Sequence, residues 1–90
     1  MGEGLAISYD PEKDAANLAK HGVSLAIGHK VLANAVTTRL DNRFPYGEER
    51  FVTFGYVDDR LHVAVYTVRD DAIRLISVRK ANQREQRRYG

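Results

Sequence analysis

Cysteine and tryptophan are absent from this chain of 90 residues, proline occurs twice and methionine once. Without cysteine there is neither a disulfide nor a thiolate metal site, which points to a reducing, cytoplasmic setting. No apolar run approaches the roughly 18 residues of a membrane span, and no charged-then-apolar signal pattern opens the chain. A Walker loop and a dinucleotide fingerprint are both missing. Ser8, Ser24 and Ser77 lack the flanking glycines of a nucleophile elbow, and His21, His29 and His62 lack metal-ligand spacing. No metal and no cofactor are therefore expected. The chain carries no internal repeat, low-complexity stretch or linker, so residues 1–90 read as one domain with a thin core.

What is present in quantity is charge, unevenly placed. The formal net charge is +2, yet residues 74–90 carry +5 and residues 1–73 carry −3. A basic end on a mildly acidic body suits a polyanion or an acidic partner.

Asp10-Pro11 reads as a helix start and Gly22 as its stop, with Lys20 and His21 favourably placed at the negative end. This predicts a first helix over 11–21 that buries Ala15, Leu18 and Ala19. Ser24 caps a second helix with Leu25, Gly28 and Leu32 on one side, ending near Asn34, and Leu5 to Ser8 forms a short strand. From Val36 the pattern turns to β. Strands are predicted over 36–40, 51–57, 61–68 and 72–78, with 42–47 as a loop and turns at Asp58-Asp59 and Asp70-Asp71. Asn82 with Glu85 reads as a capping box opening a last helix. The fold class is α+β: two N-terminal helices, an antiparallel meander of about four strands and a C-terminal helix.

Hairpin arithmetic indicates which arginines meet. Two-residue loops at both Asp-Asp pairs set Arg69 opposite Ala72, Thr67 opposite Arg74 and Arg50 opposite Thr67. Arg50, Arg69 and Arg74 then gather at one end of the sheet, near Glu48. The same count sets Arg79 at the other end, near His62 and Arg60. A strand of eight residues spans roughly 26 Å, so two arginine clusters are expected rather than one. Guanidinium forks bind phosphate oxygens bidentately and stabilise charge developing in a transition state. RNA supplies its own nucleophile in the 2′-hydroxyl. The available kit is Glu48 or His21 as base, His21 or a tyrosine as acid, and arginines as clamps.

The stretch Tyr9-Asp10-Pro11-x-Lys13-x-x-x-Asn17-x-x-Lys20-His21-Gly22-Val23 resembles the opening motif of the BrnT toxins. Tyr46-Gly47-Glu48-Glu49-Arg50-Phe51 is similar to that family's Gly-Glu-x-Arg segment. The run from Tyr66 through Arg69, Arg74 to Ala81, Glu85 and Tyr89 is similar to its closing motif. Tyr9 stands where the family usually has tryptophan. The resemblance implies a RelE-like fold and an endoribonuclease that blocks translation, and with the residues above the expected route of cleavage is 2′-hydroxyl attack. It also implies neutralisation by a BrnA-type antitoxin, through which alone DNA would be contacted. Family positions map onto Lys20, His21, Glu48, Arg69 and Arg79, with Arg50 in support. The expected site therefore has His21, Glu48, Arg69 and Arg79 as catalytic residues. Lys20, Arg50, Arg74, Lys80, Arg84 and Arg88 are the expected RNA-binding residues.

Two other readings compete. A catalytically degenerate module would bind antitoxin or RNA through the same basic face. A free-standing DNA-binding protein fits less well, because the second helix carries only Lys30 as a basic residue apart from His29. In the last helix, Glu85 reads as a cap rather than an acid, and Tyr89 as a packing residue.

Overall fold

A computed structural model describes residues 6–41 and 47–90. Leu5, the loop residues 42–46 and with them Tyr46 of the middle motif lie outside the described residues. The elements in chain order are β1 (Ala6–Ser8), α1 (Pro11–His21), a 3₁₀ turn (Leu25–Ile27), α2 (Gly28–Ala33), β2 (Ala35–Asp41), β3 (Arg50–Val57), β4 (Arg60–Arg69), β5 (Ala72–Lys80) and α3 (Gln83–Tyr89).

The α+β class holds, but the expected RelE-like arrangement of two N-terminal helices and a four-strand meander is corrected on two counts. The sheet has five strands in the order β1-β5-β4-β3-β2, and it is mixed because β1 lies parallel to β5. Pairing of Ala6, Ile7 and Ser8 with Ala72, Ile73 and Arg74 covers part of what would otherwise be a bare strand edge. Only one full helix stands at the N-terminal side. The segment after Ser24 breaks into a 3₁₀ turn and the six-residue α2, because Ser24 Oγ caps Ala26 N at 3.0 Å and Asp14 holds Leu25 N at 2.7 Å.

α1 has its predicted bounds. Asp10 accepts from Glu12 N at 2.9 Å, and Gly22 adopts the left-handed conformation at φ 75°. Its buried side is not the predicted one. Ala15, Leu18 and Ala19 are exposed, Leu18 by 52%, and Asn17 is buried instead. The cause is the edge of β5 beyond Ser8, where no strand continues. Asn17 takes that place: its amide donates to Val78 O at 2.7 Å and to Val23 O at 2.9 Å, and its carbonyl accepts from Val78 N at 3.2 Å. A buried backbone N–H and C=O left unpaired cost more than the exposure of one leucine on the far side of the helix.

Both hairpins close as counted. Val57 pairs with Arg60 and Arg69 with Ala72, so each Asp-Asp pair is a two-residue loop. All four aspartates have positive φ, between 50° and 65°, the type I′ geometry that matches strand twist. Two cores fill the two faces of the sheet. Leu25, Val31, Ala64, Tyr66, Leu75 and Val78 pack beneath the N-terminal helical layer. Phe54, Leu61, Val63 and Ala81 pack beneath α3, with Val52 and Tyr89 against them. The first core needs Gly55, since a Cβ there would lie 2.1 Å from Val31 O. Across that same face Thr38, Thr53 and Tyr66 form a chain of hydroxyl hydrogen bonds at 2.9 and 2.8 Å.

One irregularity in β5 sets the face on which Arg79 lies. Tyr66 pairs with Leu75, but Val65 pairs with Ser77, so Ile76 is an extra residue in the strand. A regular count from the turn would set Arg79 opposite His62, on the face of the N-terminal core. The bulge sets Arg79 opposite Val63 instead, on the face of α3.

Candidate nucleic-acid interface and cleft

Between α3 and the sheet lies an open cleft of about 650 Å³. Its floor is apolar, formed by Val52, Phe54, Val63 and Val65, and its walls are charged. Lys20 and His21 come from the last turn of α1, Arg39 and Asp41 from β2, Arg50 from β3, Arg79 from β5, and Arg84, Glu85, Arg88 and Tyr89 from α3. Six Lys and Arg side chains thus face two carboxylates, which makes the cleft a focus of positive potential.

Of the ten residues predicted for the site, the cleft brings together His21, Arg79, Lys20, Arg50, Arg84 and Arg88. Arg50 therefore joins Arg79 rather than Arg69 and Arg74, which corrects its place in the expected division, while Arg69 and Arg74 still stand apart from Arg79. Alternation along β4 and the bulge in β5 explain this: Arg50, Val63, Val65 and Arg79 share one face. The other four lie elsewhere. Glu48 and Arg69 form their own ion pair at 2.5 Å, with the Arg69 side chain 57% exposed. Arg74 is exposed at the turn end of β5, opposite Thr67 and beside Ser8. Lys80 is opposite His62, one residue past Arg79 and so turned to the other face.

The electrostatics of the cleft are specific. Burial pushes the His21 imidazole below its ordinary value of 6.5, and the charges of Lys20 and Arg79 push it the same way. The neutral form of the His21 ring is thus favoured beside these cations, and that form can accept a proton. Glu85 receives both terminal nitrogens of Arg79, at 2.7 and 2.8 Å, and this bidentate bond holds its carboxyl below the usual range against the opposing effect of burial. The same carboxylate accepts from Asn82 N at 2.9 Å, while Asn82 accepts from Glu85 N at 2.8 Å, so the predicted capping box is formed.

Arg39, Asp41 and Tyr89 are among the cleft residues that were not expected from the sequence to form the site. Arg39 and Asp41 pair with Val52 and Arg50 across β2 and β3, and alternation in the weak β2 pattern was the available signal. Tyr89 stacks on Phe54 with ring centroids 4.1 Å apart, as expected of a packing residue, while its hydroxyl accepts a hydrogen bond from Arg39. The guanidinium of Arg88 lies 5.6 Å from the same ring.

Among the described residues no group of three or more His, Asp or Glu side chains could hold a metal ion, and no helix is long and apolar enough to cross a membrane. A family model described as "Ribonuclease toxin, BrnT, of type II toxin-antitoxin system" matches residues 9–85. No curated protein matches the chain closely.

Proposed function

The chain belongs to the BrnT family of ribonuclease toxins from type II toxin–antitoxin systems, and from that premise we propose that it cleaves RNA in the cleft beneath α3 without a metal ion. The observation that carries this reading is the meeting of His21 and Arg79 in one cleft: an imidazole whose neutral form is favoured, beside a guanidinium. His21 takes the proton of the ribose 2′-hydroxyl. The 2′ oxygen bonds to phosphorus and the bond from phosphorus to the 5′ oxygen breaks, with a proton passing to that leaving oxygen. Arg79 neutralises the charge that gathers on the phosphoryl oxygens, and Lys20, Arg50, Arg84 and Arg88 hold the strand. The products are a cyclic phosphate and a 5′-hydroxyl end. Because the nucleophile belongs to the substrate, the step needs a base and a cationic clamp but no activated water.

Glu48, Arg69, Arg74 and Lys80 are assigned in this reading to strand grip or antitoxin docking rather than to the chemical step. The toxin acts in the cytoplasm, stops translation, and is neutralised by a BrnA-type antitoxin that also provides any contact with DNA.

The test is incubation of the purified chain with RNA in EDTA, followed by analysis of the ends. Cyclic phosphate and 5′-hydroxyl ends are expected. Products with 3′-hydroxyl ends, or cleavage abolished by EDTA, would overturn the mechanism. A second reading, a degenerate module that binds without cutting, draws on the Glu85 carboxylate that already occupies Arg79. Growth arrest on induction, relieved by the partner, favours the enzyme; tight partner binding without growth arrest favours the module.

A further inference from the structure

A second, smaller groove of about 260 Å³ runs between α1 and β5. It shares Lys20, His21, Ile76 and Ser77 with the main cleft, so the two are continuous around the edge of the sheet. The groove exists because β1 stops at Ser8, opposite Arg74, and leaves the rest of that edge of β5 without a strand neighbour among the described residues, while the other edge stays paired with β4. Asn17 satisfies the Val78 backbone across that gap, and the helix surface on either side of Asn17 stays open. Lys13 and Lys20 stand seven residues apart, on one face of α1 and roughly 10 Å along its axis. No carboxylate lines this groove among the described residues. Of the two acids that flank Lys13, Glu12 lies outside the groove, and Asp14 is engaged by Ser24 Oγ at 2.8 Å and Leu25 N at 2.7 Å.

We infer that this groove is a second phosphate-binding subsite, in which Lys13 and Lys20 grip the RNA strand beyond the phosphate that is cut. The inference rests on the RNA-cleavage reading above and adds Lys13, at the far end of a cationic track that starts in the cleft. Its ligand is the sugar-phosphate backbone of a single strand, held by charge and without base readout. The strand leaves the cleft past His21, crosses the uncovered edge of β5, and follows α1 toward its N-terminal half.

The test is binding of non-cleavable 2′-O-methyl RNA to the full chain, using oligonucleotides of about 3 and about 12 nucleotides over a range of salt. Lys13→Ala is expected to weaken the long oligonucleotide several-fold and to reduce its log affinity versus log salt slope by about 1. The short one should be unchanged, and Lys13→Arg should restore the long one. Lys30 is exposed on α2 outside both grooves, and Lys30→Ala should change neither. Equal loss from Lys13→Ala and Lys30→Ala, or no change in slope, would overturn the subsite and leave the cleavage reading intact. Lys13→Glu that spares RNA binding but weakens the antitoxin complex would assign the groove to the protein partner instead. Wild-type chain that binds neither oligonucleotide would remove the RNA reading itself, and the subsite with it.

Discussion

Glu85 grips Arg79 through both terminal nitrogens while closing the capping box of α3 with the backbone of Asn82. One carboxylate thus fixes the start of the last helix and the orientation of the guanidinium in the cleft. A phosphate arriving at Arg79 competes with this carboxylate.

Because the Glu85 carboxyl is held below its ordinary value near 4.5, its contribution to stability is present above that value and is lost as pH falls through the folded-state value. Glu85→Gln keeps a capping side chain but removes the charge, so melts from about pH 5 down to about pH 2 should show a shallower acid loss than wild type. Glu85→Ala also removes the bond from Asn82 N, the reciprocal half of the capping box, at a cost of about 1 kcal/mol, while Asn82 still caps the residue-85 backbone N–H.

His21 gives a pH prediction of its own. Burial, with help from Lys20 and Arg79, holds its ring below 6.5. Cleavage should rise with pH and bend at a value lower than 6.5, since the base must be uncharged. The unfolded chain binds this proton more readily, so stability also rises with pH through the window just below 6.5. His21→Ala should remove both features and slow cleavage by about 10²–10⁴-fold.

Arg69 and Arg79, both catalytic in the family mapping but set apart by the hairpin count, separate two roles. Arg79→Ala should reduce cleavage by about 10²–10³-fold, the scale of a lost transition-state donor. Arg69→Ala breaks an exposed pair with Glu48 and should cost under about 1 kcal/mol of stability, with cleavage near wild type. Single-turnover rates and thermal melts on the same preparations check both.

Asn17 and Leu18 are adjacent on α1 and should respond in opposite ways to hydrophobic intuition. Asn17→Ala leaves the Val78 N–H and C=O without their buried partner and should cost about 1–3 kcal/mol. Leu18→Ala, at an exposed position, should change stability by less than about 0.5 kcal/mol in denaturant melts.

The features legible in the sequence were those governed by neighbours in the chain. Asp10-Pro11 and Gly22 bound α1, Asn82 and Glu85 open α3, and the Asp-Asp pairs set hairpin registers, because caps and tight turns involve residues a few positions apart. What escaped depends on distant partners. Nothing local in Ala6–Ser8 announces a parallel partner more than sixty residues away, or marks Asn17 as a substitute for the missing strand. The site was half legible for the same reason. The residue types in the basic end were visible, but Ile76 does not look like a bulge, and without the bulge Arg79 counts onto the wrong face.

The hydroxyl chain from Thr38 through Thr53 to Tyr66 has a bearing on the opposite side of the sheet. β2 is an edge strand with weak alternation, and a slip of one residue would turn each of its side chains to the other face. Such a slip would break the Thr38 bond to Thr53 and, in the same movement, swing Arg39 and Asp41 out of the cleft. Two threonines that never meet a substrate thus act as an indexing pin for the cationic wall behind them.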